Sequence, residues 1–183
     1  VFSWEDLRAA YLAYVDCPSH ENARVLLDAL PIKRPEETIG DAELTLLHIF
    51  GLANFPVLDN EVLDGDRLAV EIMFRLLNIT DGAYRETVET ELAGLVRSIP
   101  QLFLEVLSAY KDMEYIKKFG PPVDFVGEGY VSHPKALRHE YQKRIEALES
   151  VKDPKYSKIR EECIQKLRES IKKYTYEQVQ IHR

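Results

Sequence analysis

The sequence predicts an all-α protein of about eight helices, arranged as antiparallel helical pairs and closed by a C-terminal antiparallel helical hairpin. Three observations carry this. Apolar residues recur at steps of three and four along most of the chain, the spacing of one helix face. Ser, Asp and Pro stand where helices would begin, and Gly and Pro where they would end. Counted together, the periodic segments give roughly 70% helix, far above an average domain.

Trp4, Leu7, Tyr11 and Tyr14 form the first stripe, with Ser3 and Asp6 as a capping pair in front. Asp16-Cys17-Pro18-Ser19 breaks that helix. Ser19 caps a second one, whose stripe is Ala23, Leu26, Leu27 and Leu30. Pro31 and Pro35 bound a linker. A third helix is expected from Asp41 to Pro56. Leu44, Leu46, Leu47, Ile49, Phe50, Leu52 and Phe55 surround it on almost every side, so it belongs in the core, with Leu47 and Phe50 among the deepest side chains.

The fourth helix runs from about Asp66 to Asn78, with Ala69, Ile72, Met73 and Leu76 on one face and Val70, Phe74 and Leu77 beside them. Thr80-Asp81-Gly82 is a turn and cap. The fifth helix carries Tyr84, Val88, Leu92, Leu95 and Ile99. Pro100 fits the first turn of a sixth, where its missing N–H costs nothing. That helix shows Phe103, Val106, Leu107 and Tyr110 and is expected to continue to Lys118. The stop is Lys117-Lys118-Phe119-Gly120-Pro121.

Leu137, Tyr141, Ile145 and Leu148 mark the seventh helix. Asp153-Pro154 opens the eighth, striped by Tyr156, Ile159, Cys163, Leu167, Ile171 and Tyr174. A connection of only a few residues makes these two helices antiparallel neighbours. The organisation is one domain in three parts: a helical-pair body over 1–118, an irregular loop over 119–133, and the hairpin over 134–183. Pairs starting near residues 3, 41 and 82 are spaced close to the roughly 40–47 of HEAT and armadillo repeats. No residue-level repetition accompanies that spacing, so a curved stack and an irregular bundle both fit it.

The chain has 183 residues, 45% apolar and 30% charged, which is enough to bury a core. Two cysteines, Cys17 and Cys163, exclude a disulfide-stapled miniprotein and a Cys-only zinc site. No stretch approaches 18 uncharged apolar residues, so no span of a membrane is expected. A chain opening on Val1 is expected to be trimmed, processed or excised. A cytoplasmic protein and an exported one that has lost its signal both fit.

Charge is uneven. Residues 1–110 hold 8 Lys/Arg and 19 Asp/Glu, a net of −11; residues 111–183 hold 16 and 12, a net of +4. The dozen Lys and Arg of the C-terminal pair are interspersed with Glu140, Glu146, Glu149, Glu161, Glu162 and Glu169. A solvated, salt-laced face is the reading, and nucleic acid is disfavoured as a partner.

The motifs for chemistry are incomplete. Asn60 to Glu71 matches a calcium loop at Gly65, Asp64 and Glu71, but Val62 stands at a ligand position, so Asp64 or Asp66 is expected to cap the fourth helix. His20-Glu21 and His139-Glu140 lack the second histidine of a zinc site. His48 falls in the most apolar helix and is expected to be a core histidine. Glu86, Glu89 and Glu91 crowd the fifth helix opposite its apolar stripe and are expected to face water. No nucleophile elbow or phosphate loop is present, and no metal or cofactor is implied.

The expected function is a non-enzymatic protein-interaction module: an adaptor, an inhibitor or an immunity-type binder. One alternative is a small enzyme pairing His48 or His133 with a carboxylate. Another is a nucleic-acid-associated protein acting through the C-terminal hairpin. The loop over 119–133 is the expected binding surface, with Phe125, Tyr130 and His133 as its recognition residues; the competing expectation is that Phe125 and Tyr130 plug the junction between body and hairpin. The loop's two prolines and three glycines are expected to forbid a helix there, and loops held by rigid helices concentrate recognition residues.

Overall fold

Helices begin in this chain where a side chain accepts from a free backbone N–H, where a proline removes one, or at a bend. The computed structural model describes residues 2–33, 35, 58, 60–61, 64–80, 82–131 and 133–181. Within them, α1 spans Trp4–Asp16, and Ser3 Oγ accepts from the Asp6 N–H at 3.2 Å. Helix α2 spans His20–Ala29, and Ser19 Oγ accepts from the Asn22 N–H at 3.1 Å. Asn22 Nδ2 donates to the carbonyls of Cys17 at 2.9 Å and Ala13 at 3.2 Å, which ties the first turn of α2 to the end of α1.

Helix α3, Arg67–Leu76, is the central element. Asp66 Oδ1 caps it by accepting from the Ala69 N–H at 2.9 Å. Leu68, Ala69, Val70, Ile72, Met73, Phe74 and Leu76 are all buried, so α3 is enclosed on most sides. It packs against α2, and against α4 (Gly82–Ser98) and α5 (Pro100–Tyr110). Pro100 opens α5 at its first position, as its fixed φ favours.

The helix expected from Pro100 to Lys118 is two helices. Helix α5 stops at Tyr110, the Met113 N–H bonds back to the Tyr110 carbonyl at 2.9 Å, and α6 runs over Glu114–Phe119. The face changes at the break. A straight continuation of the Phe103–Tyr110 stripe would bring Glu114 and Lys117 inward, whereas the bend buries Met113, Tyr115 and Ile116. Gly120 ends α6 at φ 76°, in the left-handed region that glycine enters without penalty, and its N–H bonds the Ile116 carbonyl at 2.8 Å.

The expectation that 119–133 holds no helix is corrected by a single turn, α7, over Glu128–Val131. The prolines stand earlier, at 121 and 122, and one internal glycine costs a helix only about 1 kcal/mol. Helix α8 (Pro134–Ser150) and helix α9 (Ser157–Ile181) form the hairpin, with a 3₁₀ turn over Pro154–Tyr156 leading into α9. Asp153 Oδ1 caps that turn through the Lys155 N–H at 2.9 Å. The hairpin is seated on the body: α8 packs on α4 and α5, and α9 on α5.

The core is one continuous cluster from Trp4 in α1 to Leu167 in α9. Cys163 is inside it, and Cys17 is exposed; both are free thiols. Three charged residues expected on solvated faces are buried instead: Glu89, Glu140 and Arg144. Each has a partner on another element, a relation that helical periodicity alone does not carry. The helix expected from Asp41 to Pro56, with Leu47, His48 and Phe50, lies outside the described residues.

Candidate functional site: a pinned loop and a groove beside it

The backbone of residues 119–126 is held by side chains of the hairpin. Arg144, 4% exposed, donates from Nη1 to the carbonyls of Val123 at 2.9 Å and Phe125 at 2.7 Å. Its Nε bonds Glu140 Oε1 at 3.1 Å, and Glu140 Oε2 receives Arg97 of α4 at 3.2 Å. Tyr141 Oη donates to the Asp124 carbonyl at 2.6 Å. Lys166 Nζ, from α9, donates to the carbonyls of Phe119 at 3.1 Å and Pro121 at 2.8 Å. It also lies 3.1 Å from Asp124 Oδ1, an ion contact, while Asp124 Oδ2 accepts from Ser170 Oγ at 2.7 Å. Five loop carbonyls are thereby satisfied by three side chains, which lets irregular backbone lie against the fold at low cost.

Phe125 is half-buried, with the Lys166 ammonium 5.6 Å from its ring centroid. Tyr130 is half-buried and packs on the edge of the core. His133 is exposed at the start of α8, with Nδ1 3.1 Å from the Gly129 carbonyl. Phe125 belongs to the pinned part of the loop, Tyr130 to the single turn beyond it, and His133 to the N-cap of α8.

A groove of about 630 Å³ opens between the segment after α2, α3, the end of α5 and α6. Ile32, Ala109, Tyr110 and Met113 give it an apolar lining, and Ile32 is 69% exposed at its edge. On the polar side, Arg75 Nη1 donates to the Leu30 carbonyl at 2.9 Å and Arg75 Nε to Tyr110 Oη at 3.4 Å. Tyr110 Oη donates in turn to Glu71 Oε2 at 3.4 Å. Burial pushes the Tyr110 phenol above its ordinary pKa, against the pull of Arg75. A cavity of this size, apolar with a few convergent polar groups, is a binding-site geometry.

The sequence pattern missed this groove. Tyr110 is legible as a stripe residue and Arg75 as a charge within an apolar helix, but their meeting depends on packing between α3 and α5. The one available signal is the Glu71/Arg75 pair, four residues apart on a helix otherwise enclosed by the core.

Elsewhere, buried Glu89 of α4 accepts a hydrogen bond from Tyr115 Oη of α6. Burial raises the Glu89 pKa, with the Tyr115 bond and the Arg85 and Lys166 charges opposing it. In the calcium-like stretch, Asp66 caps α3, and Glu71 is bonded to Arg67 Nε at 2.8 Å. Among the described residues no cluster of His, Cys, Asp and Glu has the geometry of a metal site, and no helix is long and apolar enough to cross a membrane.

No family model matches the chain, and no curated protein or solved structure does either.

Proposed function

We propose that this chain is a non-enzymatic protein-interaction module, an adaptor, inhibitor or immunity-type binder, and that the groove beside Ile32 is its principal recognition surface. One observation carries the proposal: a large apolar side chain, Ile32, stands 69% exposed at the edge of an apolar cavity of about 630 Å³. Exposed apolar surface around a concave site costs solubility and marks interaction sites on soluble domains. Most of the wall comes from α3, α5 and α6, which pack in or against the core, so binding would order little of those walls.

Two observations favour this reading over its alternatives. The ring contact of His133 is to a backbone carbonyl, not to the carboxylate an acid–base pair would use. Several hairpin cations are engaged within the chain: Arg144 and Lys166 on the loop, and Arg160 on the Val151 carbonyl. On the same proposal the 119–133 loop is a second face, with Phe125, Tyr130 and His133 as its residues and exposed His133 as the one to test.

The test is retention of partners from the source cell by immobilised wild type, by Ile32→Asp and by Leu12→Asp. Leu12 is also exposed but lies on α1, outside the groove lining. A protein held by wild type and Leu12→Asp and lost by Ile32→Asp is then purified and titrated calorimetrically. Direct binding that Ile32→Asp weakens at least tenfold is the expected result. Equal binding by both variants would remove the groove from the proposal.

A further inference from the structure

The polar wall of the groove favours one kind of occupant. We propose that the groove takes the free C-terminal carboxylate of a partner polypeptide whose last side chain is apolar, with Arg75 receiving the carboxylate. This rests on the groove being the recognition surface and adds the chemistry of what enters it.

The Arg75 side chain is half-buried, and its guanidinium is held in place by the Leu30 carbonyl, the Tyr110 hydroxyl and the Tyr110 ring, whose centroid is 5.7 Å away. All three partners are uncharged. Among the described residues, no carboxylate stands within ion-pair distance of Arg75. Glu71, one turn earlier on the same helix, is paired with Arg67 at 2.8 Å, and Arg67 also binds Glu105. Asp112, on the groove lining, stands 3.4 Å from Lys117 Nζ. The lining as a whole is balanced in charge, Lys33, Arg75 and Lys117 against Glu71, Asp112 and Glu114, and within it Arg75 is a half-buried cation whose described hydrogen-bond partners are all neutral.

A partly desolvated cation with neutral partners is a receptor for an anion, because a charge out of water is stabilised chiefly by its counter-charge. The guanidinium has five N–H donors, and the described bonds occupy two of them. The planar fork suits a carboxylate. The rest of the cavity selects against a bare inorganic anion, which would leave Ile32, Ala109, Met113 and the Tyr110 ring unfilled. A chain terminus with an apolar side chain supplies both the charge and the body, and capture of a terminal carboxylate is an established mode of peptide recognition.

The experiment uses the full chain, isotope-labelled, and two synthetic hexapeptide pools. Both pools end in Leu, Ile, Val or Phe after five randomised positions; one has a free C-terminal acid and the other is amidated. The free-acid pool is expected to shift the Ile32 and Met113 methyl resonances and the Arg75 Nε–H, and the amidated pool to bind at least tenfold more weakly. Arg75→Gln should bring the free-acid pool down to the level of the amide. Arg75→Lys, which keeps the charge and loses the fork, should fall between them. Equal shifts from both pools on the wild type would overturn the carboxylate assignment while leaving the groove reading in place. Shifts from decanoate with none from either pool would replace the polypeptide by a small organic acid and overturn the proposal. Silence from all three probes, with Ile32→Asp still losing its partner, would also overturn the carboxylate and spare the groove. If Ile32→Asp loses nothing either, the groove reading fails with it.

Discussion

Glu89 shows what a single residue contributes that its neighbours in sequence do not announce. It lies between Glu86 and Glu91 on α4, in a stretch patterned as a solvated face, yet the residue is only 7% exposed and its carboxyl is bonded to Tyr115. The partner is 26 residues away, on a helix that exists because the chain bends after Tyr110, and no local pattern encodes that meeting. Burial raises the folded pKa of Glu89 above its ordinary 4.5, so the folded state holds this proton more tightly than the unfolded chain does. Its contribution to stability is therefore greatest at low pH and is lost as pH rises from 4.5 through the raised folded value. Glu89→Gln, which can still accept from Tyr115, should flatten the fall of the urea midpoint across that window and be at least as stable as wild type at pH 7. A variant clearly weaker at pH 7 would show that the ionised carboxylate is worth more than its desolvation costs. In the loop, His133→Ala should change stability by under about 0.5 kcal/mol, whereas Tyr130→Ala, which strips a ring from the edge of the core, should cost more than about 1 kcal/mol. Equal melting temperatures for the two variants would free Tyr130 from a packing role.

Helix starts are the part of this fold most legible in sequence. Ser3, Ser19, Asp66, Pro100 and Asp153 all stand at the starts expected of them, because a cap is a contact within about four residues. Asp66→Ala should cost about 1 kcal/mol in urea unfolding and Asp66→Asn much less, since the amide oxygen still accepts from Ala69. The break at Lys111–Met113 was hidden because no Pro or Gly marks it; burial of Met113 and Tyr115 decides it instead. The pinning of the loop is hidden for a related reason. Arg144 and Lys166 sit among a dozen cations of similar spacing, and their carbonyl partners lie 19 to 47 residues away. The loop itself was legible as irregular, while its attachment was not. Arg144→Ala removes two carbonyl bonds and the buried half of an ion pair, so a loss of about 3 kcal/mol is expected in thermal or urea unfolding. Exposed Arg138→Ala, one helix face away, should cost under about 0.5 kcal/mol. A small effect at Arg144 would show that water replaces the guanidinium without strain.

At the scale of the molecule, the acidic N-terminal stretch and the basic C-terminal one meet through an ion pair as well as through packing: Arg97 of α4 reaches Glu140 of α8. Within the C-terminal stretch, Lys166 of α9 reaches Asp124 of the loop. Helix packing runs along one path: α1 on α2, α2 on α3, α3 on α4 and α5, and those two on the hairpin. A hairpin bound so widely has no face of its own to shed, and its buried residues Leu137, Tyr141, Ile145 and Leu148 would be exposed by leaving. The chain should therefore unfold as one cooperative unit, in the manner of small single domains. The single tryptophan makes this measurable, because Trp4 is in α1, at the far end of the packing path from α9. Trp4 fluorescence reports the first helix, and far-UV ellipticity reports all of them. In urea the two curves should share one midpoint. Loss of helix signal before any change at Trp4 would mean that the hairpin opens independently, and residues 134–183 would then have to be treated as a separate unit docked on the body.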